Sequence, residues 1–527
     1  MVGGRSAILA GLLLATSAVL AGAATFRWAN DIDATSLDPY SRREAFQLSF
    51  LGNVYEPLIG RGRDLALEPA LATDWRQVAP LVWRFDLRQG VRFQDGTPFT
   101  AADVVFSYRR ASGGASKIAL ALSAIRDVRA VDAHTIDIIT AMPDPTLPEE
   151  IVPWDIMSRT WCQAHGIGEP SAAESAGDDY AASHADGTGP FTIESRVVGV
   201  QTVFAPNPGW WGRSEHGVDR VIFRPIGNDA ARLAALASGT VDMISAVPLE
   251  DIGRLAAMPG VRIVHRAGTR TIFLGFDQAP ATISQGKRRQ RNPLADRRVR
   301  AAFAQAIDEN AIVATVTRGL ATPAGLLVGP GVDGFDPAAN QRPAYDPAAA
   351  RRLLAAAGYP AGFALTMDCP NDRYIDDMTT CRAVAADLAT IGVRITLRAA
   401  PRAQFFTQLL DPGLGSRFYL MGWRPANDDA IDALVNLATT RNDVRHNGAY
   451  NIGGYANPAL DAIIARARRA VVGNGRTALL RDALAIVRDD DAYLPLYQPD
   501  VVWAVRDNVE LVQRGDGSFP LRDVRMK

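Results

Sequence analysis

The chain has little cysteine, three residues in 527 (Cys162, Cys369 and Cys381), and no CxxC pair. A thioredoxin-type redox motif and a zinc ribbon are thereby excluded. There is no GxSxG elbow, no HExxH and no GxxxxGK followed by Ser or Thr, so the local signatures of an α/β-hydrolase, a zinc protease and a P-loop enzyme are missing. No other catalytic constellation, metal site or cofactor motif stands in their place. The six histidines are scattered, and Cys162-x-x-His165, half of a metal site by spacing, has no second pair nearby and reads as structural. Neither sign of charge prevails: Lys plus Arg number 56 against 57 for Asp plus Glu. A polyanion or a membrane surface is not the implied partner. The run Lys287-Arg288-Arg289-Gln290-Arg291 lacks interleaved aromatics and reads as a surface loop, with no nucleic acid expected. Asp489-Asp490-Asp491 reads as a solvated helix end or hinge. Beyond residue 23 no apolar run is long enough to cross a bilayer, and the chain has no Pro/Gly/Ser-rich linker, low-complexity segment or long internal repeat.

At the start, Arg5 is followed by Ala7 to Ala21, an uncharged and mostly apolar run short for a membrane span, and then by the small residues Ala21-Gly22-Ala23. This is the grammar of a cleaved signal peptide, 1–23, with a mature chain from about Ala24. No cysteine lies there to carry a lipid anchor. A soluble protein of a bacterial periplasm is expected. An oxidising compartment makes Cys369 and Cys381, with eleven residues between them, a candidate disulfide of about 3 kcal/mol on the chain-entropy model; two reduced buried cysteines are the alternative.

At this length two or more domains are expected, and a hydrophobic fraction of 48% is ample for their cores. The clearest local pattern runs from Leu81 to Arg110. Trp83, Phe85 and Leu87 alternate with charged residues as in a strand with one apolar face, and Val91 and Phe93 repeat the pattern beyond Gln89-Gly90, which predicts a hairpin. Thr100 then caps a helix to about Arg110, with Asp103 in its first turn. Further on, Asp229 caps a helix that Gly239 ends; Asp346-Pro347 opens another, stopped by Gly358 before a strand at Phe363 to Met367; and a helix from about Asp376 to Ile391 precedes alternating Val393, Ile395 and Leu397. Val299, Phe303 and Ile307 form an apolar stripe at helical spacing. Helices and strands alternate as in α/β lobes.

The run WRFDLRQGVRFQDGTPFTAADVVFSYRRA strongly resembles the signature of the peptide, opine and nickel binding-protein family of ABC importers. NVYEPLIG at Asn53, GTGPFTI at Gly187, NPGWWG at Asn207, LASGTVDMI at Leu236, RRVRAAFAQAID at Arg297 and LPLYQP at Leu494 extend the resemblance, in the family's order, over nearly the whole mature chain. It implies a two-lobed periplasmic binding protein fold with a ligand cleft between the lobes. Lobe I would comprise 24–52, 186–267 and 492–527, with a subdomain inserted at 53–185, and lobe II would comprise 268–491. The crossings are expected at Thr269 to Asp277 and Asp489 to Gln498. The implied role is capture of a short peptide for a membrane permease by a monomer; opine-like, sugar-derived or other small organic solutes are the alternative, with a secreted hydrolase or a peptide-holding chaperone outside the class.

Site residues follow from the same resemblance. Arg373 matches the arginine that relatives place against a ligand carboxylate, and Trp423 matches the family's cleft tryptophan. Three residues after that tryptophan the peptide binders carry an aspartate for the α-amino group, whereas this chain has Ala426. Asp428, Asp429 and Glu44 are the candidate replacements; Asp429 matches an aspartate of structural role in relatives. Ser41 to Glu44 resembles a loop beside bound peptide, where Arg42 and Arg43 would favour an anionic ligand.

Overall fold

Local signals set most helix ends. Asp346 accepts the Ala349 N–H at 2.8 Å at the head of the helix Pro347–Ala356, and Gly358 leaves it with a φ of 94° that a side chain would resist. The helix Asp229–Ala237 starts one residue earlier than expected: Asn228 is the cap, accepting from the Ala231 N–H at 2.9 Å, and Asp229 serves in the first turn, where it holds Arg232 at 2.6 Å. In the helix Ala101–Ala111 the capping is reciprocal, since the Asp103 carboxylate accepts the Thr100 N–H at 2.8 Å.

The computed structural model describes residues 24–42, 44–168, 180–213, 217–285, 288–411, 418–442, 447–471 and 473–527; the expected signal peptide and Arg43 lie outside them. Among the described residues no helix is long and apolar enough to cross a membrane.

The expected hairpin within Leu81 to Phe93 is absent. The strand Val82–Leu87 lies in a four-stranded antiparallel sheet between Ala72–Ala79 and Thr135–Thr140, while 91–93 forms no named strand. The reason is burial: Trp83, Phe85 and Leu87 share the core with Ile136 and Ile138 of the neighbouring strand, and Arg84 reaches Asp137 at 2.8 Å. The basic run also differs from expectation, since Arg288–Arg291 pairs with Thr282–Gln285 as a two-stranded ribbon; Lys287 lies outside the described residues.

Two lobes have separate cores. One gathers Phe26, Trp28, Phe50, Phe85, Trp154, Phe223, Trp503 and Phe519, from both ends of the chain. The other is built from Ile272, Phe276, Phe303, Met367, Val384 and Phe418, with a neighbouring cluster of Phe273, Tyr419, Leu434, Leu480 and Tyr493. A single strand, Tyr493–Arg506, serves both: Tyr493 to Tyr497 pair with Thr271–Phe276, and Asp500 to Arg506 pair with Val261–Ala267. The strand changes pairing partner near Gln498, at the end of the expected crossing Asp489 to Gln498. Arg300 fixes the preceding helix end by donating to the carbonyls of Asp490 and Asp491.

Several of the recognised motifs converge on one buried carboxylate. Glu56 accepts from Thr188, Trp210 and Trp211 at 2.8, 3.0 and 2.7 Å, which joins NVYEPLIG, GTGPFTI and NPGWWG. Gly187 needs its missing side chain here, because a Cβ would stand 2.0 Å from the Val54 carbonyl. These motifs build the scaffold of the first lobe.

Candidate functional site

A cavity of about 1030 Å³ opens between the two cores. Its second-lobe wall is carried by two elements. The strand Phe418–Trp423 ends at Trp423, whose Nε1 donates to Asp432 at 2.8 Å and whose ring meets Tyr450 edge-on at 5.0 Å. The loop between the strand Ala364–Pro370 and the helix Asp377–Ala389 presents Arg373. Three features hold that loop. Asp377 accepts the N–H groups of Arg373 and Tyr374, both at 3.1 Å. The Tyr374 hydroxyl exchanges hydrogen bonds with Gly422, accepting from its N–H at 2.8 Å. Cys369 and Cys381, at the loop's two flanks, are joined as a disulfide with Cα atoms 6.6 Å apart.

Arg373 does not stand alone. Arg270 and Arg424 line the same cavity, and the guanidinium carbons of Arg270 and Arg373 lie 5.9 and 5.2 Å from the centre of the Tyr374 ring. Among the described residues, none of the three arginines has a carboxylate within 4 Å. Burial, with Arg373 and Arg424 as like-charged neighbours, pushes Arg270 down to about 10. It stays charged at neutral pH, in an environment short of negative charge.

The opposite wall carries buried acids beside the arginines Arg61, Arg514 and Arg522. Glu149 and Asp155 line the cavity with 8% and 6% of their surface exposed, and burial raises each to about 7. Glu149 Oε2 has no hydrogen-bond partner. A positive group placed here would restore the ionised form of both.

Asp428 joins the two sides. Its Oδ2 lies 3.2 Å from Nε of Arg61 across the cleft, both side chains being almost wholly buried, and Arg61 also donates to the carbonyls of Leu65 and Asn427. Its Oδ1 has no partner, its backbone sits in the left-handed region at φ 51°, and burial raises its carboxyl above the usual range in spite of Arg61.

The remaining expected residues separate. Glu44 lines the cavity just ahead of the helix Ala45–Leu51. Arg42 is not among its lining residues, and Arg43 lies outside the described residues. Asp429 points elsewhere, capping Ile431 and bonding buried Arg476. Cys162 is buried in the first core, and His165 stacks on Tyr180 at 4.1 Å; the described residues hold no cluster of His, Cys, Asp and Glu fit for a metal ion. Sequence reasoning missed Arg270, Arg424, Arg61, Glu149 and Asp155. Arg270 and Arg424 did leave a signal, as charges at the ends of otherwise apolar strands, TRTIFLGF and FYLMGWR.

The model of the bacterial extracellular solute-binding proteins, family 5 Middle, matches residues 66–444. Among curated proteins, the glutathione-binding protein GsiB of Salmonella typhimurium is 26% identical over 486 residues, spanning 90% of this chain and 89% of its own. Among solved structures, HbpA2 from Haemophilus parasuis superimposes with a TM-score of 0.81 at 23% identity, covering 95% of this chain and 100% of its own. The periplasmic binding protein DppA from Helicobacter pylori, in complex with the peptide STSA, gives 0.70 at 23% identity over 95% of this chain and 98% of its own. The structural likeness is one of fold.

Proposed function

The chain belongs to the bacterial extracellular solute-binding proteins of family 5, and from that premise we propose that it captures a short peptide between its lobes and delivers it to the permease of an ABC importer. One observation carries the peptide reading: the cavity sets uncompensated arginines on one wall against buried, proton-holding acids on the other. A zwitterion of a few residues satisfies both at once, whereas a neutral sugar satisfies neither. The names of GsiB and DppA point the same way.

In this reading Arg373 takes a ligand carboxylate, because its planar fork forms two parallel hydrogen bonds with one. Trp423 offers a flat wall for side chains or backbone. The unpaired, buried Oδ1 of Asp428 supports it as the acceptor for an ammonium group in place of the missing aspartate at Ala426, with Glu44 lining the same cavity. Arg42 and Arg43 stay candidates for an anionic ligand by the resemblance of Ser41 to Glu44 alone. The ligand contacts both lobes only when they close, so its differential affinity stabilises the closed form that a permease recognises.

The protein works in the periplasm after removal of residues 1–23, as a monomer, with no chemistry in the cleft. Lobe I comprises 24–52, 186–267 and 492–527, the inserted subdomain 53–185, and lobe II 268–491. A second reading, an opine-like solute without a free α-amino group, draws on Ala426 and on the engagement of Asp428 by Arg61. Isothermal titration with short peptides and with amine-blocked counterparts separates the two: the peptide reading expects the free-amine forms to bind, and equal or tighter binding of the blocked forms overturns it.

A further inference from the structure

A second cavity, of about 250 Å³, shares Arg270, Arg373 and Arg424 with the first. The three arginines border both spaces. The side cavity is otherwise largely apolar, lined by Leu249, Ile272, Leu320, Ile375 and Val501. It also contains Thr269, 1% exposed, whose hydroxyl has no hydrogen-bond partner. An unpaired buried hydroxyl is destabilising, and a group of buried like charges is more so. The two acids that reach this side cavity are already engaged: Asp500 with His265 at 2.6 Å and Asp516 with Arg514 at 2.9 Å. Among the described residues they leave Arg270, Arg373 and Arg424 with no carboxylate in contact, and Asp428, already paired with Arg61, acts on Arg424 only from a distance.

A single carboxylate on Arg373 uses one fork of three. We infer that the cleft selects ligands carrying at least two carboxylates: one rests on Arg373, and a second is seated by Arg270 and Arg424 at the mouth of the side cavity, beside the Thr269 hydroxyl. The class is a short peptide with an acidic side chain, and this assignment rests on the peptide reading of the cleft. Arg270 and Arg424 are then residues that set specificity. Each provides a planar fork that can donate two parallel hydrogen bonds to one carboxylate, so lysine at either position replaces the charge without that geometry.

Titration calorimetry with three probes tests this: tri-alanine, Ala-Glu-Ala and propane-1,2,3-tricarboxylate, on the wild type and on Arg270→Gln, Arg424→Gln and Arg270→Lys, with each variant's fold checked by circular dichroism and melting. Ala-Glu-Ala is expected to bind about 10- to 100-fold more tightly than tri-alanine, the range of one added charge-assisted pair. Either glutamine variant should bring its affinity down to that of tri-alanine, and Arg270→Lys should restore part of the gap. Equal affinities for the two peptides, or a gap that survives in both glutamine variants, overturn the inference and leave the peptide reading standing. Binding of the tricarboxylate through Arg270, with no peptide bound, upholds the two-carboxylate requirement and removes the peptide. Binding of none of the three overturns the assignment.

Discussion

Removing Arg61 should loosen the hold of one lobe on the other in the ligand-free protein. The Arg61 to Asp428 pair, at 3.2 Å and with side chains only 8% and 7% exposed, joins a residue beside the first core to one beside the second. At an effective dielectric of about 20 its gross attraction is roughly 5 kcal/mol, partly offset by the cost of desolvating both ions. Taking away one partner also leaves Asp428 buried and unpaired, and the net loss in such cases is about 3–5 kcal/mol. Since 1.4 kcal/mol is a factor of ten, the open to closed ratio should rise by roughly 10²- to 10³-fold in Arg61→Met. Small-angle scattering without ligand reads this directly as a larger radius of gyration. Asp428→Asn should give a similar change, and the double variant should add little to either, because both remove the same contact. Unchanged scattering in Arg61→Met, or additive changes in the pair, would refute a bridging role.

Arg373→Ala should lose about 2–5 kcal/mol of peptide binding with the fold intact, measured by calorimetry; unchanged affinity removes Arg373 from the site. The Cys369 to Cys381 bridge closes a loop of sequence separation 12, which the chain-entropy model values at about 3 kcal/mol, and that loop presents Arg373. Intact-mass analysis should show reduction adding two protons, and the double serine variant should bind less tightly as well as unfold earlier; free thiols at both positions in the native protein contradict the bridge. Asp155 holds its proton to about pH 7 in the folded protein and to about 4 in the unfolded chain, so folding binds a proton in between, and stability falls as pH rises through that window. Asp155→Asn should therefore raise the melting temperature more at pH 8.5 than at pH 4.5, by up to roughly 4 kcal/mol of added stability, and a gain independent of pH defeats the argument.

The comparison of sequence with structure divides along the range of each interaction. Helix ends were legible because a cap and the N–H it accepts lie within three residues, as with Asp346 and Ala349. The apolar face of Val82–Leu87 was legible for the same reason, since alternation is local. Its partner was not: the strand pairs with Thr135–Thr140, about fifty residues on, and nothing in a period-two pattern names the neighbour. The site shows the same division. Arg373 and Trp423 stood out by resemblance, while the group they join needs Arg270 and Arg424 brought together from positions some 150 residues apart. Asp428 was visible as a spare acid, but its left-handed backbone and its hold on Arg61 depend on the packed cleft. Nothing in LPEE or PWD marks Glu149 and Asp155, and only their burial makes them proton-holding groups.

The central claim is that the cleft holds a short peptide. Mass spectrometry of the small molecules released on denaturing protein purified without refolding tests it most directly. The account predicts short peptides, enriched in acidic residues and with free N-termini; a sugar or an opine-like molecule in their place, or an empty cleft that binds no member of a peptide library, would contradict it.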